Sequence, residues 1–122
     1  MGYHKGHKEF HTLDMSTGWH VPPGYPSGIQ QKIISGGLDE VNHRGSRTRL
    51  LRFEPGADTS PMGVQRHDFW EEVLIVEGGL YDLSLDQTFT KGMYACRPPG
   101  MPHGPWQAPD GCLTFEFRYW KK

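Results

Sequence analysis

The chain lacks any apolar run of membrane-spanning length, any block of basic residues and any Cys-x-x-Cys pair. Each absence removes a class of function. A helix needs about 20 consecutive apolar residues to cross a bilayer, so no membrane partner is expected. Thirteen Lys and Arg face fourteen Asp and Glu, a formal net charge of −1, which leaves no electrostatic footprint for nucleic acid. The two cysteines, Cys96 and Cys112, have no zinc-knuckle or redox spacing. Both fall in strand-like segments and are expected to be reduced packing residues. The first residues, Met1-Gly2-Tyr3-His4-Lys5-Gly6-His7, show no apolar stretch of a secretory signal. A cytoplasmic setting, where disulfides are disfavoured, is the expectation.

Glycine and proline are abundant instead: 16 Gly and 10 Pro in 122 residues. That balance favours short strands and turns over long helices, in a length that suits one domain with a modest core. Residues 1–28 read as an N-terminal arm and loop, and 29–122 as a single barrel. Within the arm, His4, His7 and His11 would share one face if the segment were helical, so a second metal site there stands beside the plainer reading of a loosely held arm. His20 follows, and Val21-Pro22-Pro23-Gly24-Tyr25-Pro26-Ser27-Gly28 reads as extended loop.

From Gln30 the pattern becomes strand-like. Candidate strands are 31–34, 47–53 stopped by Pro55-Gly56, 72–76, 80–85, 93–97 and 112–120. A hairpin through Glu77-Gly78-Gly79 is expected. The last candidate alternates strictly, with Leu113, Phe115, Phe117 and Tyr119 on one face. With no convincing helix over 30–122, many short strands at regular spacing predict an all-β sandwich or small barrel.

Four polar residues stand out: Gln65 and His67 at strand parity, Glu71 four residues on, and His103 after Pro98-Pro99-Gly100-Met101-Pro102. The rigid Pro-Pro-Gly turn would fix the approach of His103. From His67, three residues lead to Glu71 and six more to Gly78; Gly92, Pro98, Gly100, His103 and Gln107 follow at a second fixed spacing. In these two motifs, over about residues 47–119, the chain resembles the cupin superfamily. It departs from the family pattern at two places: Thr59 replaces the opening Gly of the first motif, and Gln65 replaces the first of the three family histidines.

The resemblance implies a double-stranded β-helix, or jelly-roll barrel, with an extended N-terminal arm and small cupins' habit of forming a homodimer. It implies Gln65, His67, Glu71 and His103 as ligands to one divalent metal ion per chain. Two imidazoles, a carboxylate and an amide oxygen form a mixed N/O set that suits Mn, Ni, Zn or Cu. If Gln65 stands aside, the two-His, one-carboxylate set suits Fe(II), the favoured ion. Arg49, Tyr81, Phe115, Phe117 and Trp106 are candidates for a substrate pocket. Glu116 and Arg118 either join such a pocket or pair on the solvent face. The expected function is a metal-dependent enzyme acting on a small oxygenated organic substrate, with dioxygenase-type C–C cleavage favoured. A cyclase, isomerase or lyase would use the same Lewis acid. A sensing module that binds a metabolite or metal without turnover is the second reading, and the absence of an attached DNA-binding domain counts against a self-contained regulator. A metal-free structural barrel ranks last.

Overall fold

The computed structural model describes residues 5–120. Nine strands form it: β1 Trp19–His20, β2 Ile29–Asp39, β3 Arg44–Phe53, β4 Ala57–Asp58, β5 Trp70–Asp82, β6 Gln87–Thr90, β7 Tyr94–Arg97, β8 Trp106–Ala108 and β9 Cys112–Tyr119. Among the described residues the one helical element is a 3₁₀ turn over Ser60–Met62. Residues 5–18 contain no helix. His7 and His11 are exposed on irregular chain, so no helical face unites them, and His4 lies outside the described residues.

All pairings are antiparallel, and the sheet curls into a jelly-roll barrel. One layer runs β1-β2-β3-β9-β5 with β7 on the far side of β5. The other places β8 and β6 against the C-terminal part of β5, with β4 beyond β8. Thus β5 serves both layers, and its glycines let it do so. The register against β9 shifts between Ile75 and Glu77, a bulge, and Gly78 follows at φ +76°. A Cβ on Gly78 would overlap the Gly111 carbonyl oxygen. Glycine at positive φ serves a bulge as well as a hairpin, and here it serves the bulge. The hairpin expected through Glu77-Gly78-Gly79 does not form. The chain reverses after Asp82 instead, whose Oδ1 accepts from the Ser84 and Leu85 amides.

The apolar core gathers Ile29, Leu51, Phe53, Ala57, Ile75, Leu80, Ala108 and Cys112 at one end of the barrel. Beyond it the interior is mixed, with Leu50, Phe69, Val73 and Trp120 buried beside Gln31, Arg49, Glu71, Glu116 and Arg118. On β9 the buried residues are Cys112, Thr114, Glu116 and Arg118. Leu113, Phe115, Phe117 and Tyr119 do share a face, but it is the outward one, and Phe115 is 40% exposed. The inner face can be charged because its charges are partnered, Arg49 by Glu116 and Arg118 by Glu71. Burial pushes the Cys112 thiol up to about 12, as for an inert packing residue. Cys96 departs from that expectation: it is free but exposed.

Candidate metal centre and the cavity beside it

Strand register builds the site around Glu71. It is the directly opposed partner of Arg97 on β7 and of Arg118 on β9. Residues opposite each other on one face are the natural pairs of a sheet, so the two guanidiniums reach Glu71 from either side. Arg118 donates from Nε to Oε2 at 2.7 Å, with its Nη2 2.6 Å from the same oxygen. Arg97 donates from Nη1 to Oε1 at 3.2 Å. Alone, burial would raise the Glu71 pKa; Arg118, His103 and Arg97 together outweigh it and hold the carboxyl at about 2.

The same register extends the network. Arg49 on β3 faces Glu116 on β9, donating from Nε to Oε1 at 2.9 Å. Its Nη1 donates to Gln31 Oε1 at 2.7 Å, and the Gln31 amide meets the His20 ring at 3.0 Å. Thr114 donates to the other Glu116 oxygen at 3.0 Å. A row of partnered polar groups therefore crosses the barrel from β1 to Glu71. Glu71 and Glu116 raise the Arg118 pKa against the opposing pull of burial. The alternative in which Arg118 and Glu116 pair on the solvent face is excluded: both are buried.

The histidines come from outside regular strands. His103 is tied to Gln65 by a two-way backbone bridge, with N···O distances of 2.8 and 2.9 Å. The Pro98-Pro99-Gly100 turn docks through the Gly100 amide on the His67 carbonyl at 2.7 Å. His67 stacks on Phe69, with centroids 4.7 Å apart. A bend at Asp68–Phe69 separates His67 from β5, so strand parity does not carry through, yet the side chains converge. His67, Glu71 and His103 each offer a ligand atom within 4.8 Å of the other two.

Two observations bear on whether a metal fits. His103 has an 8% exposed side chain, and neither of its buried ring nitrogens has a hydrogen-bond partner among the described residues. Orphaned buried nitrogens are costly, and ligation would satisfy one of them. Burial, with Arg118 second, holds the His67 pKa down at about 4; burial, with Arg97 second, also lowers that of His103. Both imidazoles are thus neutral and both lone pairs free at neutral pH, as ligation requires. Arg118 on Glu71 Oε2 leaves Oε1 toward the cluster and would orient the carboxylate from behind. The residues fit a divalent ion. Gln65 lies in the same small pocket, of about 60 Å³, with Glu71 and His103. Its amide nitrogen donates to the Met62 carbonyl at 3.1 Å.

A larger cavity of about 630 Å³ adjoins this pocket and shares Val73, Leu80, Arg97, His103 and Trp106 with it. Of the pocket candidates read from the sequence, Trp106 lines both spaces. Arg49 sits behind the site in the ion-pair row. Tyr81 donates to Asp86 at the surface, and with Phe115 and Phe117 it lines neither space. Sequence reading missed Arg97 and Gln31. Arg97 carried a usable signal, its place in a strand immediately before the Pro-Pro turn; Gln31 carried none.

The family described as the ChrR cupin-like domain matches residues 15–119. No curated protein matches the chain. Among solved structures, an RmlC-like cupin from Shewanella frigidimarina is 18% identical with TM-score 0.68, covering 94% of both chains. An acetylacetone dioxygenase from Acinetobacter johnsonii is 16% identical with TM-score 0.65, covering 98% of this chain and 80% of that one. A chain from the complex of Rhodobacter sphaeroides SigE with the anti-sigma ChrR is 19% identical with TM-score 0.60, covering 84% of this chain and 48% of that one. At these identities the likeness is one of fold.

Proposed function

The chain belongs to the ChrR cupin-like family, and from that premise we propose a metal-dependent enzyme acting on a small oxygenated organic substrate. The observation that carries the reading is His103, whose two buried ring nitrogens have no hydrogen-bond partner among the described residues; its Nε2 lies 3.4 Å from Glu71 Oε1, and His67, Glu71 and His103 offer ligand atoms within 4.8 Å of one another. His67, Glu71 and His103 would hold the ion, with Gln65 either joining them or leaving its place to substrate. A divalent first-row ion bound there supplies Lewis acidity toward an enolisable oxygen and, if iron, redox capacity toward dioxygen.

The chain's own residues supply the rest. Arg118 fixes the carboxylate of Glu71 and keeps it ionised. The neutral imidazoles add no competing positive charge. Trp106 and the apolar wall of the larger cavity offer a substrate an apolar surface beside the cluster. The favoured reaction is C–C cleavage of a β-diketone by one dioxygen, giving a carboxylic acid and a 1,2-dicarbonyl compound. Both oxygen atoms stay in the products, and no external reductant is needed. The structural likeness to an acetylacetone dioxygenase accords with this chemistry without assigning it.

The test is oxygen uptake by Fe(II)-loaded protein with a panel of linear and cyclic β-diketones. The reading expects stoichiometric oxygen consumption that disappears in His67→Ala. A specific observation favours a second reading, sensing without turnover: Glu71 carries two guanidiniums, which would weaken its hold on a dication. Reversible metal or diketone binding with no oxygen uptake and no diketone loss would select it.

A further inference from the structure

The larger cavity asks for a ligand of definite chemistry. Its wall is apolar over Val73, Ile75, Leu80, Phe89, Met93 and Trp106, and its volume of about 630 Å³ lies in the range of sites for small organic molecules. The charges beside it do not cancel. Two guanidiniums, Arg66 and Arg97, line it against one carboxylate, Asp82, an excess of one positive charge, and behind it Arg118 and Arg49 are matched by Glu71 and Glu116.

That excess falls on Arg97. Arg118 is 2.6 Å from Glu71 and Arg49 is 2.8 Å from Glu116, whereas Arg97 has one longer contact of 3.2 Å. Among the described residues its Nε and Nη2 have no hydrogen-bond acceptor, since its single side-chain bond is from Nη1. Its guanidinium lies 5.2 Å from the centroid of the Trp106 ring, which holds the fork in place, and Arg97 lines the cavity. The cavity's own carboxylate, Asp82, makes no ion pair with Arg97 among the described residues; its Oδ1 accepts from the amides of the Ser84–Leu85 turn. The second arginine of the lining, Arg66, is exposed and donates to the Gly100 carbonyl.

We propose that this cavity binds an amphiphilic organic anion, with its apolar body on the Val73–Trp106 wall and its carboxylate or enolate on the Arg97 fork. A planar guanidinium with two free donors suits a two-oxygen anion. The inference names a substrate class for the enzyme proposed above and rests on that reading for its function, but the binding itself needs no metal.

The experiment uses EDTA-treated full-length protein and isothermal titration with octanoate, benzoate and 2-naphthoate, each beside its neutral alcohol. At least one carboxylate should bind about tenfold or more tighter than its alcohol, and Arg97→Gln should abolish that preference while leaving alcohol binding in place. If Arg97→Gln does not fold, Arg97→Lys keeps the charge without the fork and should weaken the carboxylate alone. Equal affinity for acid and alcohol, no carboxylate binding, or a preference that survives the substitution would overturn the proposal. Carboxylate binding in a protein that never takes up metal would defeat the enzyme reading alone. Oxygen uptake with no carboxylate preference would defeat this inference alone.

Discussion

His67 and His103 spend the folded state as neutral imidazoles, and acid must charge one of them where burial and arginines oppose it. His67 titrates near 4 when folded, against 6.5 ordinarily. A depressed histidine contributes stability above its unfolded pKa and loses it as pH falls through 6.5 toward 4. Glu71, held at about 2 against 4.5, contributes above 4.5 and loses that contribution only between 4.5 and 2. Acid unfolding of metal-free protein is therefore predicted in two stages, histidine first. His67→Phe, which preserves stacking on Phe69, should lose much of the first stage, on the order of 1–3 kcal/mol between pH 6.5 and 4.5. Urea melts at stepped pH would show it. Parallel slopes for variant and wild type over that interval would disprove the assignment. His67, Glu71 and His103, which the barrel brings together, could be singled out beforehand because motif spacing names residue types and order. That Arg97 and Arg118 meet Glu71 was not readable, although Arg118 was already a polar candidate: cross-strand register brings them to it, and register is absent from linear spacing.

At the scale of the element, β5 and β9 show what pattern reading can and cannot supply. Alternation placed Leu113, Phe115, Phe117 and Tyr119 together without saying which way they face; Phe115 and Phe117 were expected in a pocket, and the structure turns the whole set outward. The inward positions carry Glu116 and Arg118 because partners across the sheet neutralise them. In β5 the Gly78-Gly79 pair signals a change of direction, and a bulge and a hairpin share that signal. The contrast between two glycines tests the bulge. Gly78 and Gly92 both have positive φ, at +76° and +89°, but only Gly78 lacks room for a Cβ. Gly92→Ala should cost about 1 kcal/mol, from backbone conformation alone. Gly78→Ala should cost roughly 2–4 kcal/mol, because the Gly111 carbonyl must also move. Equal losses in denaturant unfolding would mean that β5 does not cross between layers at Gly78.

For the molecule as a whole, the curled sheet brings residues more than thirty positions apart to one place. His103 meets Gln65 through a backbone bridge and lines both the small pocket beside Glu71 and the larger apolar cavity. The barrel architecture followed from strand spacing and the two motifs. The adjacency of a charged pocket to an apolar cavity did not, because it depends on which faces of β5, β7 and β9 turn inward. No helix among the described residues is long and apolar enough to cross a membrane. If His67, Glu71 and His103 hold one divalent ion, elemental analysis of wild-type protein and His103→Ala after reconstitution and desalting will show it. About one equivalent per chain is expected in the wild type, and most of it should be lost in the variant. No metal in the wild type, or undiminished metal in His103→Ala, would contradict it.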